Sequence, residues 1–222
     1  MRSAYRAMSG SCVTTTMVKP PEGSMTATIS PDAIGVVAFA HGSGSGRHSP
    51  RNQAVARALH ERGLGTLLFD LLTPEEEPDR ANVFDIPLLG DRLGVAAAWL
   101  VDHHARRGLP LGFFGASTGA AAALWAAAAD GSPARAIVSR GGRPDLAGAR
   151  LGAVRAPTLL IVGGRDEAVL ELNREAAEQL RCEHRIEIVP GATHLFEEPG
   201  ALEAVSDLAS DWFLEHLSRT RS

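Results

Sequence analysis

Six short apolar runs punctuate the chain, at residues 34–40, 64–69, 110–114, 134–138, 158–162 and 185–189. Each is nearly continuous rather than alternating, which suits strands buried on both faces, as in a parallel sheet covered by helices. Between the runs, apolar positions recur at helical spacing. Over residues 50–62, Ala54, Val55, Ala58 and Leu59 share one face, with Ser49 and Pro50 supplying a cap and first turn and Gly63 a stop. Residues 91–107 repeat the pattern through Leu93, Ala97, Leu100 and Val101, and residues 171–181 through Leu172, Ala176 and Leu180. The last stretch aligns Val205, Leu208, Ala209 and Trp212. Strand alternating with helix predicts right-handed β-α-β crossovers and an α/β fold. Its sheet is doubly wound and mostly parallel, flanked by helices, with functional residues at the carboxyl ends of the strands.

The amino-terminal part is weaker. Residues 13–18 and 24–29 read as an entering antiparallel pair, residues 1–17 as a leader or first strand, and residues 18–222 as a single domain. The Pro- and Glu-rich stretch 73–80 reads as an exposed loop. Only about twenty residues separate the runs ending at Val138 and beginning at Thr158, too few for a large cap domain, so an open cleft is expected.

Composition narrows the function classes. A formal charge of −4 without any block of Lys and Arg argues against nucleic acid or an anionic membrane as partner, and leaves small-molecule substrates. The two cysteines, Cys12 and Cys182, are far apart and have no ligand-like spacing, which predicts neither a disulfide framework nor a metal site and suits a cytoplasmic location. No cofactor motif is present, and either a monomer or a homodimer fits.

The chemistry lies in the loops. Directly after the run 110–114 comes Gly115-Ala116-Ser117-Thr118-Gly119, leading into an alanine-rich helix. This is G-x-S-x-G in a strand–turn–helix setting, which holds the serine on a strained corner with Oγ exposed. The competing reading is a serine that merely caps the helix. A serine hydroxyl is a weak nucleophile until a base takes its proton, so a histidine oriented by a carboxylate is required. Asp166 follows the run 158–162 within Val162-Gly163-Gly164-Arg165-Asp166, and His194 follows the run 185–189 within Pro190-Gly191-Ala192-Thr193-His194. For Asp166 the bland alternative is a turn or cap residue, with Glu167 adjacent; for His194 it is a loop histidine at the surface.

A Gly-rich loop, His41-Gly42-Ser43-Gly44-Ser45-Gly46, follows the first run. It is suited to presenting the Ser43 N–H to a developing oxyanion, alongside the N–H of Thr118. A phosphate loop is disfavoured, because no Lys-Ser/Thr follows and the glycine spacing is not G-x-G-x-x-G. His41 reads as structural, and the other histidines have no metal spacing. Arg140, in Ser139-Arg140-Gly141-Gly142-Arg143, follows a strand end on the same sheet edge. It reads equally as a substrate carboxylate ligand and as half of a structural ion pair.

Taken together, the HGSGSG loop, the GASTG corner, VGGRD and PGATHLFEEPG resemble the dienelactone-hydrolase-related branch of the α/β-hydrolase superfamily, from about Val36 onward. The resemblance implies a capless Ser-His-Asp hydrolase on a trimmed eight-stranded sheet, without a cofactor, acting on small ester-like substrates. One departure is informative. True dienelactone hydrolases carry cysteine at the corner, where this chain has Ser117. The expectation is therefore a serine esterase working through an acyl-enzyme, with an acyltransferase using the same residues or a non-catalytic scaffold as alternatives.

Overall fold

The computed structural model describes residues 25–103 and 108–218. The candidate leader, the run 13–18 and Cys12 lie outside the described residues, as does the tail of the helix expected over 91–107.

Seven strands form one sheet among the described residues: β1 (Met25–Thr28), β2 (Val36–Ala40), β3 (Gly65–Phe69), β4 (Leu111–Ala116), β5 (Ala134–Arg140), β6 (Thr158–Gly163) and β7 (His184–Val189), in the order β1-β3-β2-β4-β5-β6-β7. Every neighbouring pair is parallel except β1 with β3. The five residues of β2, the five of β3 and the six of β4 and of β6 are all buried, which is why the sequence shows continuous apolar runs there. By contrast β7, an edge strand, is largely exposed.

Helices α1 (Pro50–Glu61) and α6 (Ala201–Leu217) cover one face, where Val55, Leu59, Val205, Ala209 and Phe213 pack against Phe39, Phe114 and Val138. On the other face, α3 (Ile86–His103), α4 (Thr118–Ala127) and α5 (Glu167–Gln179) enclose Phe113, Ile137 and Leu160. Helix α4 is buried on almost every side, and its run of alanines lets it lie close to the sheet. No helix among the described residues is long and apolar enough to cross a membrane.

Three local expectations change. Residues 25–28 do run antiparallel, but against β3. The stretch 73–80 is tied down by an ion pair between Glu76 and Arg92 and leads into a short helix, α2 (Arg80–Val83). Between β5 and β6, where no large cap was expected, the chain forms 3-10 turns over Pro144–Ala153. Helix α3 also starts five residues before the expected Asp91, because Ile86 and Leu89 are buried as its first turns.

Strand order reverses between β2 and β4: the chain runs outward through β3 on one side and through β5 to β7 on the other. Loops leaving the carboxyl ends of those two strands part in opposite directions and open a crevice, the place where open α/β sheets bind ligands. The loops there are His41–Gly46 and the Ser117 corner.

Candidate active site

Ser117 sits at the junction of β4 and α4 with φ 51° and ψ −123°, a conformation that a non-glycine residue adopts only when its surroundings enforce it. Three backbone hydrogen bonds do so: Ser117 N–H to Arg140 O (3.2 Å), and Ala120 N–H and Arg143 N–H to Ser117 O (3.1 Å each). A Cβ at Gly119 would stand 2.1 Å from Ala40 O, so only glycine lets the turn close against β2. Ser117 occupies the N-cap position of α4, yet its side chain makes no capping bond. The hydroxyl is spare.

Asp166 repeats this logic. It is the N-cap residue of α5, but its carboxylate does not cap the helix. Instead Oδ2 accepts a 2.7 Å hydrogen bond from His194 Nδ1. The carboxylate is well covered, its side chain 16% exposed, whereas the imidazole is 37% exposed. That bond fixes the His194 proton on Nδ1 and leaves Nε2 as the free base. The His194 loop is itself braced, since Glu198 Oε2 accepts from Thr193 N–H. Hydrogen bonding to the Thr193 hydroxyl, and then to its amide, holds the Glu198 carboxyl below its ordinary range. Among the described residues no hydrogen bond joins His194 to Ser117; such bonds commonly tighten only when substrate arrives.

The Gly-rich loop lies against the corner. A Cβ at Gly42 would come within 2.9 Å of both Ala116 O and Ser117 Cβ, so the loop is in direct contact with the candidate nucleophile. The Ser43 N–H, an expected oxyanion donor, is engaged by Thr118 Oγ1 at 3.2 Å. Thr118, buried at the first turn of α4, thus holds this loop through its hydroxyl, a contact with no signal in the sequence, where its N–H was the expected donor. His41 is structural in the way its position suggests. Its Nε2 accepts from Leu71 N–H (2.8 Å), which places the ring proton on Nδ1 for donation to Gly42 O (3.0 Å). Burial pushes its pKa down, so the ring stays neutral.

Beside the Ser43–Ser45 loop opens a cleft of about 310 Å³, lined by Thr118, Leu71, Leu72, Val83, Phe84, Leu89, Glu77 and Arg80. Its floor is apolar and its rim charged. No cluster of three metal-ligating side chains occurs among the described residues.

Among the described residues Arg140 does not form the structural ion pair that was one of its two readings. It is 8% exposed, and its Nε and Nη1 are enclosed without a partner. Arg143, three residues on, is bonded through Nε and Nη2 to Asp145.

A corner serine, a carboxylate-bound imidazole and a glycine loop at the switch point of a mostly parallel sheet are the parts of an α/β-hydrolase. The chain belongs to the dienelactone-hydrolase-related branch of that family: it is 54% identical to a dienelactone hydrolase from Anabaena variabilis, covering 87% of this chain and 91% of that one, with a TM-score of 0.83. Est1E from Butyrivibrio proteoclasticus shares the fold at 17% identity, with a TM-score of 0.69 over 88% of this chain and 94% of that one. A Mycobacterium tuberculosis protein that carries the provisional name phosphoribosyl transferase is 62% identical over 183 residues, 82% of this chain. The chain spans 41% of that relative's length. No family model matches the chain.

Proposed function

We propose that the protein is a serine hydrolase of small carboxylic esters, working through an acyl-enzyme on Ser117. The observation that carries this reading is the 2.7 Å bond from His194 to an Asp166 carboxylate that forgoes capping its own helix, in a fold that also holds Ser117 at positive φ.

In this reading Ser117 Oγ attacks the carbonyl carbon while His194 Nε2 takes its proton. Asp166 holds the imidazole tautomer and stabilises the imidazolium. Electron density moves to the carbonyl oxygen, which meets the N–H groups of Ser43 and Thr118. The Ser43 N–H must then exchange Thr118 Oγ1 for the oxyanion. As the C–O bond to the leaving alcohol breaks, His194 returns the proton to it. Water enters by the reverse sequence and releases the acid.

An acyltransferase differs only in the nucleophile of the second half-reaction, and a scaffold in lacking both halves. The provisional transferase name of the longer relatives we assign to the part of those proteins outside the matched stretch, because the matched stretch is occupied by a complete hydrolase fold.

Fluorophosphonate labelling tests the reading. The wild-type protein should label and hydrolyse short p-nitrophenyl esters, with both lost in Ser117→Ala, in which kcat falls by about 10³-fold or more. A folded wild type that neither labels nor hydrolyses supports the scaffold instead.

A further inference from the structure

Helix α5 turns Leu170, Asn173, Ala176 and Ala177 to the core, and Asn173, fully enclosed, is the polar member of that stripe. An amide is a costly choice there. Asparagine is a poor helix former, and its Oδ1 is enclosed with no donor among the described residues. An apolar side chain would fill the stripe without leaving a buried acceptor unmet. A buried polar group kept at such a cost calls for a reason, and the reason lies in what the other half of the amide holds.

Both hydrogens of Nδ2 are spent. One goes to Val169 O in the preceding turn of α5 at 2.7 Å, which fixes the side chain to its own helix; the other goes to Gly142 O at 3.0 Å, across to the segment that follows β5. That segment is the one that grips Ser117. Arg140 O accepts the Ser117 N–H and Arg143 N–H donates to Ser117 O, so the residues flanking Gly142 hold the corner from both ends of its peptide unit. Gly141 N–H is tied in turn to Ile161 O of β6 at 2.8 Å.

The segment has no slack. A Cβ at Gly142 would stand 2.0 Å from Ser139 Oγ and 2.5 Å from Ala120 Cβ in the first turn of α4. A Cβ at Gly141 would lie 3.0 Å from His194 O and 3.6 Å from His194 Nδ1. Residues 140–143 therefore fill the space between the serine corner and the imidazole, and their displacement alters the separation of nucleophile and base. Asn173 ties them to α5, the helix that begins at Asp166. One amide thus joins the element that carries the acid to the segment that holds the serine.

We infer that Asn173 is a positioning residue for the proposed hydrolysis: by holding the Gly142 carbonyl it sets residues 140–143, and through them the placement of Ser117 against His194. The inference rests on the hydrolase reading, whose own failure shows separately in the fluorophosphonate labelling of the wild type.

Asn173→Ser tests it. A serine on a helix donates back to the carbonyl four residues earlier, as Ser206 and Ser210 do in α6, but is too short to span to Gly142, so this variant cuts the one bond at issue and keeps a polar group satisfied. Asn173→Asp, which keeps the shape and loses the donor, is the second variant. With p-nitrophenyl butyrate, kcat should fall about tenfold or more in both while KM stays within about twofold, because the apolar cleft is untouched; the rate of fluorophosphonate labelling should fall in step. Leu180→Ala, a buried apolar truncation at the far end of the same helix, is the control for simple destabilisation: it lowers Tm and leaves kcat as in wild type. Wild-type kcat in the folded Asn173 variants overturns the inference. So does an effect confined to KM, or a fall in kcat as large in Leu180→Ala. A wild type that does not label brings down the hydrolase reading, and this inference with it.

Discussion

Arg92 and Arg140 are both partly or wholly withdrawn from water near the carboxyl edge of the sheet, on opposite faces, and they are treated in opposite ways. Around Arg92 every charge is answered. Its two Nη atoms bond Glu76 at 2.6 and 2.7 Å, Nη1 also reaches Leu71 O, and Glu76 accepts from Thr73 N–H. The result is visible in the acid, which the Arg92 guanidinium holds at about 2. Around Arg140 two enclosed nitrogens, Nε and Nη1, have no acceptor among the described residues. The first cluster fastens the loop after β3 to α3 and serves the fold; the second leaves donors open near the candidate nucleophile. Satisfied charges mark where this chain stabilises itself.

The contrast breaks most visibly at Gly42, on the open side. Gly42→Ala forces a Cβ against Ala116 O and Ser117 Cβ, and should lower kcat/KM for any ester by about 10²-fold through displacement of the Ser43 N–H, with a small change in Tm. Arg92→Ala, on the closed side, should do the reverse. It removes about 1 kcal/mol of stability, read as a lower Tm, while leaving kcat/KM for short esters as in wild type. It should also flatten the acid limb. Because the Glu76 pKa is depressed on folding, its contribution is complete above about 4.5 and is lost as pH falls through about 2, so the variant loses less stability over that window. If Arg92→Ala lowers kcat/KM instead, the division into closed and open regions is wrong.

The smallest effect concerns the residue that joins the two regions. His41 accepts from the N–H of Leu71, whose carbonyl is held by Arg92, and donates to Gly42 in the loop beside Ser117. Its pKa is lowered on folding, so the unfolded chain takes up its proton first. The contribution of neutral His41 is whole above about 6.5 and declines as pH falls below that value. His41→Gln should therefore show a shallower loss of Tm between neutral and mildly acidic pH than wild type.

The sequence carried the strands and their order of use well, because a strand buried on both faces must be nearly all apolar, and 36–40, 65–69 and 158–163 are, Thr66 and Thr158 aside. Ser117, Asp166 and His194 were legible because each follows such a run, at the end where loops converge. What was not legible depends on contacts between distant segments. The partner of β1, the hydroxyl of Thr118 on the Ser43 amide and the brace from Glu198 to Thr193 leave no local pattern. Nor did Arg51 announce itself: a charged residue in the first turn of an amphipathic helix looks like any solvated position until the fold sets it beside Arg140. Arg140 was noticed from its place at a strand end, but only its surroundings separate an unpaired arginine from a paired one.

The corner at Ser117 also bears on inheritance. Its glycines are demanded by main-chain crowding, as the 2.1 Å clash at Gly119 and the 2.4 Å clash at Gly115 make plain, whereas nothing in the backbone demands a hydroxyl at position 117. A descendant that abandoned the proposed catalysis would be free to exchange the serine, the histidine and the aspartate while its glycines stayed in place to keep the chain foldable. In any set of descendants, the glycines testify to ancestry and the three polar side chains to use.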